Sequence, residues 1–88
     1  MSKNKEEYIE EALEQVRLEL INAYDTFPEF RSAHEGVAIV EEEFLEFREA
    51  AFWPHRHLNG ADEEEARQLA AMAIRYMVDV CYEKDVPR

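Results

Sequence analysis

The residues with the clearest chemical potential are carboxylates at short spacing inside an apolar sequence. The stretch from Val37 to Phe47 reads VAIVEEEFLEF, with glutamates at positions 41–43 and again at Glu46. A solvated helix face needs no such apolar surround, and an ordinary core helix carries no carboxylates. Burial and mutual repulsion raise the pKa of clustered carboxyls unless a positive charge compensates. A hard divalent cation, which prefers oxygen ligands, is the simplest compensation.

Helical geometry separates these four glutamates. At about 100° per residue, Glu43 and Glu46 share one face of a helix, and Glu42 lies beside Glu46. Glu41 falls at the edge of the apolar face that carries Phe44. We therefore expect Glu41 to be a solvated charge and the other three to meet at a partly buried surface.

A second polar set follows in the next helical segment. Glu65 and Gln68 repeat the three-residue spacing, on a stripe that also carries Arg75. If the two segments are antiparallel neighbours, residues at similar distances from their connection face each other. Four oxygen-bearing side chains then converge on one point between the helices: Glu43, Glu46, Glu65 and Gln68.

Start and stop signals divide the chain into the elements that must position these side chains. Each segment opens at a residue able to cap a helix and ends near a proline or a break in the apolar pattern. The predicted helices run from Asn4 to about Pro28, from Ser32 to about Phe52, and from Asp62 to about Glu83. Glutamates stand three residues after each cap, in capping-box spacing, at Glu7, Glu35 and Glu65. We expect a single all-α domain over residues 1–88, with three main helices and no strands.

The second predicted helix carries apolar residues on more than one side. The helical angle distinguishes three apolar sides: one has Val37, Val40, Phe44, Phe47 and Ala51, another has Leu45 and Phe52, and a third has Ile39 and Ala50. A helix that is apolar on several sides is buried on several sides. Three helices form an incomplete bundle, and a chain of 88 residues buries only a modest core. We expect a helical bundle completed by oligomerisation, as a homodimer or homotetramer.

Composition limits the classes of partner. The chain is 47% hydrophobic and 35% charged, with a formal net charge of −11. That charge argues against nucleic acid and anionic membranes as partners, whereas it favours divalent cations. The single cysteine, Cys81, has no partner for an internal disulfide, and no apolar run is long enough to cross a bilayer. We expect a cytoplasmic protein.

The order of acidic residues resembles the metal motif of the MazG-like all-α nucleoside triphosphate pyrophosphohydrolases. That motif is ExxE, a gap, then ExxD, and here it reads EFLE at 43–46 and EARQ at 65–68. Glu42 supplies the preceding glutamate of the EExxE form. The similarity extends from about Ser32 to Val80 and includes SAHEGVAIVEEEFLEF and EARQLAAMAIRYMVDV. One position departs, because Gln68 stands where the family has aspartate, and a neutral amide oxygen binds Mg²⁺ more weakly than a carboxylate.

The resemblance implies an activity and a set of roles. The expected reaction is Mg²⁺-dependent hydrolysis of a nucleoside or deoxynucleoside triphosphate to the monophosphate and pyrophosphate, with Mn²⁺ as an alternative ion. The implied metal ligands are Glu43, Glu46, Glu65 and Gln68. Glu42 and Glu46 are the implied catalytic residues, which orient or activate the attacking water. Arg75 and Arg48 are candidates to offset phosphate charge.

Other interpretations stay open at this stage. The chain could be a catalytically weak relative that binds nucleotide or metal as a regulatory module, or a structural acidic bundle that assembles with a protein partner. Glu65 could close a capping box with Asp62 instead of binding a metal. Phe52 and Trp53 suit either base stacking or an interface. The loop residues His55 and His57 suit either metal binding or an ordinary loop.

Overall fold

The computed structural model describes residues 2–53 and 59–83, and the predicted loop histidines lie outside these ranges. The chain forms α1 (Lys5–Thr26), α2 (Ala33–Phe52) and α3 (Ala61–Tyr76). A π-helical segment, Met77–Tyr82, continues directly from α3. No strand occurs within the described ranges, and the expectation of an all-α fold with three main helices is confirmed.

The predicted caps of α1 and α2 are present. The backbone N–H of Glu7 donates to the Asn4 side chain (2.9 Å), and that of Glu35 donates to the Ser32 hydroxyl (3.1 Å). Each cap satisfies one of the N–H groups that a helix start leaves without an intrahelical acceptor. The carboxylate of Glu35 accepts from the backbone N–H of Arg31 (3.1 Å) instead of returning to Ser32. The sequence therefore located both starts correctly, but the predicted return bond from the Glu35 carboxylate to Ser32 is replaced by its bond to Arg31.

The predicted cap of α3 was wrong. Gly60, at φ 74°, is the N-cap, and the helix begins at Ala61. Glycine reaches this left-handed conformation without the steric cost that a Cβ would bring, so the chain turns into the helix before Asp62. The Asp62 carboxylate accepts from the N–H of Glu63 at 2.9 Å. Because Asp62 lies within the helix, no capping box joins it to Glu65.

α3 lies between the other two helices and holds them through different contacts. On the α1 side, Arg67 forms an ion pair with Glu19 at 3.3 Å. On the α2 side the backbones approach closely at Gly36, where an added Cβ would lie 2.7 Å from a ring carbon of Tyr76 and 3.0 Å from one of Phe30. Those distances exclude any larger residue without a shift of the rings, so the glycine sets how closely α2 approaches α3.

The apolar core is small for a chain of this length. Among the described residues the buried apolar side chains are Ala23, Phe30, Ala50, Ala71, Met72 and Val80. Three of these are alanines, which contribute little apolar area each. Many large apolar residues are exposed, on α1 (Tyr8, Ile9, Leu13, Leu18, Ile21) and on α2 (Val37, Phe44, Leu45, Phe52). Despite this apolar surface, none of the helices within the described ranges has the length and hydropathy needed to cross a membrane.

Candidate metal centre

Three carboxylates from two helices converge at one point. Ligand oxygens of Glu43, Glu46 and Glu65 all lie within 4.8 Å of one another. Glu43 and Glu46 meet because they are three residues apart on α2. Glu65 joins them because α2 and α3 run antiparallel: Gly36, early in α2, lies against Tyr76 at the end of α3. Glu43 and Glu65 are half-buried and Glu46 is exposed, so the cluster is open on the Glu46 side.

The electrostatics of Glu43 differ from those of an ordinary surface glutamate. Burial, followed by the neighbouring charges of Glu46 and Glu65, raises the pKa of Glu43 from 4.5 to about 7. The Oε2 atom of Glu43 is buried and accepts no hydrogen bond from the part of the chain that the structure describes. A buried acceptor without a donor costs free energy, as do like charges held together. Without a cation the cluster is therefore destabilising at neutral pH.

The donor set suits a hard divalent cation. All three side chains offer carboxylate oxygens, the ligands that Mg²⁺ and Mn²⁺ take in proteins. A bound cation would supply the Glu43 oxygen with a partner and would reverse the effect of burial on the pKa of Glu43. The orphaned buried oxygen and the all-oxygen chemistry together fit the metal that the sequence motif implies.

A cleft of about 570 Å³ opens beside this cluster, between the end of α1, α2 and α3. Glu42, Glu43 and Gln68 line one part of it. The volume lies within the range of pockets that hold small molecules. The structure thus brings Gln68, the position where the motif residue differs, and Glu42, the implied catalytic residue, to the same cleft as the half-buried Glu43.

Arg75 lines another part of the cleft and is held there tightly. Its guanidinium carbon lies 4.4 Å from the centroid of the Phe30 ring and 5.2 Å from that of Tyr24. Its Nη2 donates to the carbonyl oxygen of Pro28 at 2.6 Å, and the residue is only 2% exposed. Cation–π contacts of this kind fix a guanidinium in one orientation. Arg75 is a fixed positive charge in the cleft wall, and its role toward phosphate stays a prediction.

Arg48 lies elsewhere. It is exposed and lines a shallow depression at the end of α2 together with Leu45, Glu49, Phe52 and Trp53. The α2 geometry explains this position, because Arg48 is about 160° round the helix from Glu46. Arg48 and the two aromatic residues therefore do not line the cleft beside Glu43, and of the two roles considered for Phe52 and Trp53 this position suits an interface better than base stacking.

Sequence reasoning missed the contacts that shape the cleft. Asp79 is fully buried and accepts hydrogen bonds from the Tyr24 hydroxyl (2.7 Å) and the Phe30 backbone N–H (2.9 Å). Burial and the Asp79 carboxylate raise the pKa of Tyr24 well above its usual value. These bonds anchor the α1–α2 connection, which carries Phe30 over Arg75. A lone aspartate within the apolar sequence MVDVC was the available signal for such a buried acceptor.

Two further cleft residues come from the end of α1. Asn22 and Phe27 both line the cleft, and Phe27 is 58% exposed. Phe27 follows the last residue of α1 and adopts an extended conformation before Pro28, which turns its ring out of the helix pattern.

The chain matches no protein-family model, no curated protein and no solved structure. The resemblance to the MazG-like pyrophosphohydrolases therefore stands on the motif residues and their surroundings in the sequence.

Proposed function

We propose that this chain is a Mg²⁺-dependent nucleotide pyrophosphohydrolase, with Mn²⁺ as an alternative ion. The substrate is a nucleoside or deoxynucleoside triphosphate, which is cleaved to the monophosphate and pyrophosphate. The observation that carries the proposal is the convergence of Glu43, Glu46 and Glu65 beside a cleft with a fixed positive charge at Arg75. An acidic cluster and a buried arginine in one cleft suit a ligand that brings both a metal and phosphate groups.

The metal would be held by Glu43, Glu46 and Glu65, with the amide oxygen of Gln68 in reach of the same cleft. A bound Mg²⁺ supplies charge neutralisation for the phosphates and makes a coordinated water more acidic. Three carboxylates and one neutral amide give this site one negative charge fewer than the ExxE and ExxD pattern. We therefore expect it to bind Mg²⁺ more weakly than a site with four carboxylates.

The remaining side chains act on the substrate. Glu42 is exposed at the cleft, where its carboxylate can accept a proton from the water that attacks the α-phosphorus. The new P–O bond forms on the monophosphate, and the bond to the β-phosphate breaks. From the cleft wall, Arg75 stabilises the negative charge that develops on the departing pyrophosphate. The exposed ring of Phe27 offers a stacking surface for the base.

We also propose that the protein works as a homodimer or homotetramer in the cytoplasm. Support comes from the small alanine-rich core and from the large apolar side chains left exposed on α1 and α2. Chains of this size commonly gain the burial they lack from a second copy.

A pyrophosphate-release assay tests the hydrolase. The chain is incubated with each nucleoside and deoxynucleoside triphosphate plus Mg²⁺ or Mn²⁺, and Glu46→Gln is compared with Glu64→Gln. Glu64 is an exposed glutamate of α3 outside the cleft, so its variant controls for the loss of one charge. We expect Glu46→Gln to lower the rate by about 100-fold or more, because several kcal/mol of charge stabilisation depend on the metal. Equal rates in both variants would contradict the proposed site.

One observation favours a second candidate function. Gln68 replaces the carboxylate that the motif places in the cleft, as expected for a relative that binds nucleotide without efficient turnover. Calorimetry that detects nucleotide binding, together with no pyrophosphate release, would identify this regulatory module. The absence of both binding and turnover would leave a structural acidic bundle.

A further inference from the structure

One face of α2 is exposed and apolar over most of the length of the helix. It lies where two of the apolar sides distinguished in the sequence meet, and four large side chains form it: Val37 is 53% exposed, Phe44 46%, Leu45 52% and Phe52 82%. At about 100° per residue these four fall within an arc of about 100°. Two exposed charged residues, Glu41 and Arg48, lie in the same arc. We call these six residues the α2 stripe.

The α2 stripe lies away from the metal centre. Glu43 and Glu46 are each about 150° round the helix from the middle of the stripe. Their carboxylates lie beside that of Glu65 on α3, whereas all six stripe residues are exposed. A molecule that covers the stripe therefore leaves the cleft beside Glu43 open.

The order of residues in the stripe has a two-fold symmetry. Its midpoint lies between Phe44 and Leu45, and Glu41 and Arg48 stand at equal distances on either side of it. Val37 and Phe52 are also equidistant from this midpoint. If two copies of α2 pack antiparallel about this point, each Glu41 lies opposite an Arg48, and each Val37 lies opposite a Phe52. The charge pattern is thus complementary to itself, which an isologous interface requires.

These two charges are available for such a contact. Glu41 and Arg48 are seven residues apart, about 10 Å along the helix axis, too far to pair within one copy. Neither forms an ion pair with any residue in the described ranges, whereas other charged residues, such as Arg67 with Glu19, do.

An apolar groove runs beside the stripe and can receive side chains from a facing helix. It encloses about 380 Å³ and is lined by Val37, Val40, Glu41, Phe44, Ala73 and Tyr76. Helices that pack at a shallow angle insert the side chains of one into holes on the other. A second α2 in antiparallel register brings its own Phe44 and Leu45 to the rim of this groove.

We propose that the α2 stripe is a homodimer interface. Two copies of the chain pack α2 against α2, antiparallel, with the two-fold axis between Phe44 and Leu45 and two ion pairs between Glu41 and Arg48. The inference rests on the self-association proposed above and is independent of the hydrolase activity. A second copy is the occupant that brings this charge order on a matching apolar face, since its own stripe has the same residues.

Sedimentation velocity with charge-reversal variants tests the interface and its register. The wild type is expected to sediment as a dimer or a higher oligomer built from it. In a dimer of either single variant, Glu41→Arg or Arg48→Glu, both facing pairs carry like charges. Each variant should therefore weaken dimerisation by about tenfold or more. The Glu41→Arg/Arg48→Glu double variant should dimerise like the wild type. An equimolar mixture of the two single variants should form heterodimers, because one supplies arginine at both positions and the other glutamate.

Glu64→Arg is the matched control. It makes the same change in net charge as Glu41→Arg, at an exposed position of α3. That position is about half a turn round the helix from Ala73, which lines the groove. It should dimerise like the wild type, and circular dichroism should show all variants helical.

Each contrary outcome overturns a defined part of the proposal. A monomeric wild type overturns both the self-association and this interface. A wild-type oligomer that none of the stripe variants weakens overturns this interface alone and assigns the contact to another face. Weak association of the double variant and of the mixture overturns the antiparallel register. The pyrophosphate assay is a separate readout, so a failed interface and a failed hydrolase are distinguishable.

Discussion

Within residues 2–53 and 59–83, two groups of three carboxylates can be compared, and they differ in what their oxygens contact. The candidate metal centre contains Glu43, Glu46 and Glu65, and the second group contains Glu29, Asp79 and Glu83. In the second group both oxygens of the buried Asp79 accept hydrogen bonds, from Tyr24 and from the backbone of Phe30. In the metal centre the buried Oε2 of Glu43 has no donor among the described residues. Proximity of carboxylates alone does not define a ligand site, and the unsatisfied buried oxygen of Glu43 is what separates this group from the one around Asp79.

The two groups have complementary functions in this account. Asp79 anchors the connection between α1 and α2, and that connection places Phe30 against Arg75 in the cleft wall. The metal centre lies across the same cleft. One group is therefore expected to control stability and cleft shape, and the other to control metal binding and chemistry. Substitutions in each group should separate these two roles.

Replacing Asp79 should damage the fold most. Asp79→Ala leaves the Tyr24 hydroxyl and the Phe30 N–H without their acceptor inside the protein. We expect a loss of about 2–4 kcal/mol in the free energy of unfolding, measured by urea denaturation. Glu29→Ala removes an exposed member of the same group and should change stability by less than about 0.5 kcal/mol. Equal effects of the two variants would show that Asp79 is not the anchor.

Neutralising Glu43 should have a smaller effect of opposite sign in metal-free protein. The pKa of Glu43 is about 7 in the folded chain and near 4.5 when unfolded. Between these values the folded state binds more protons than the unfolded state, so stability falls as pH rises through this window. Below pH 4.5 both states are protonated and the penalty is absent. Above pH 7 the penalty is complete.

Glu43→Gln should therefore stabilise the protein at pH 8 in the presence of a chelator. A pKa change of that size corresponds to about 3 kcal/mol, and partial exposure of the carboxylate reduces the expected gain to about 1–2 kcal/mol. Urea denaturation at pH 8 and at pH 4.5 measures the difference, which should nearly vanish at the lower pH. A gain that is independent of pH, or a loss at pH 8, would argue against the burial of an unsatisfied charge.

Changing Gln68 should have the smallest effect. Gln68→Asp restores a fourth carboxylate beside the cleft and should tighten Mg²⁺ binding by about three- to tenfold. Gln68→Asn is the control, because its side chain has the length of aspartate without the charge. Calorimetric titration of Mg²⁺ should show tighter binding for the aspartate variant only. The same affinity in all three proteins would place Gln68 outside the site.

The sequence predicted the helical face of the site better than the wall of the cleft. Glu43 and Glu46 were paired by spacing alone, and Ser32 and Phe52 correctly bounded the helix that carries them. These features are local, since capping and helical angle depend on a few neighbouring residues. Adding Glu65 to the cluster needed only the further assumption that α2 and α3 are antiparallel.

The missed features depend on contacts distant in sequence. Asp79 accepts a hydrogen bond from Phe30, which lies 49 positions away in the sequence, and no local pattern predicts that contact. Nor did propensity predict the π-helical segment, in which Glu83 N–H donates to the Val78 carbonyl oxygen, five residues back. The sequence favoured Asp62 as the cap of α3 because aspartate has the better capping side chain. The left-handed turn at Gly60 instead determines where α3 begins.

Electron paramagnetic resonance, which counts bound Mn²⁺, can establish whether Glu43, Glu46 and Glu65 form a divalent-cation site. The wild type, Glu43→Gln and Glu29→Gln are each titrated at pH 8 and the free ion is measured. The account predicts saturable Mn²⁺ binding by the wild type and by Glu29→Gln, displaced by excess Mg²⁺, and its loss in Glu43→Gln. Unchanged binding in Glu43→Gln, or a loss caused by Glu29→Gln, would contradict it.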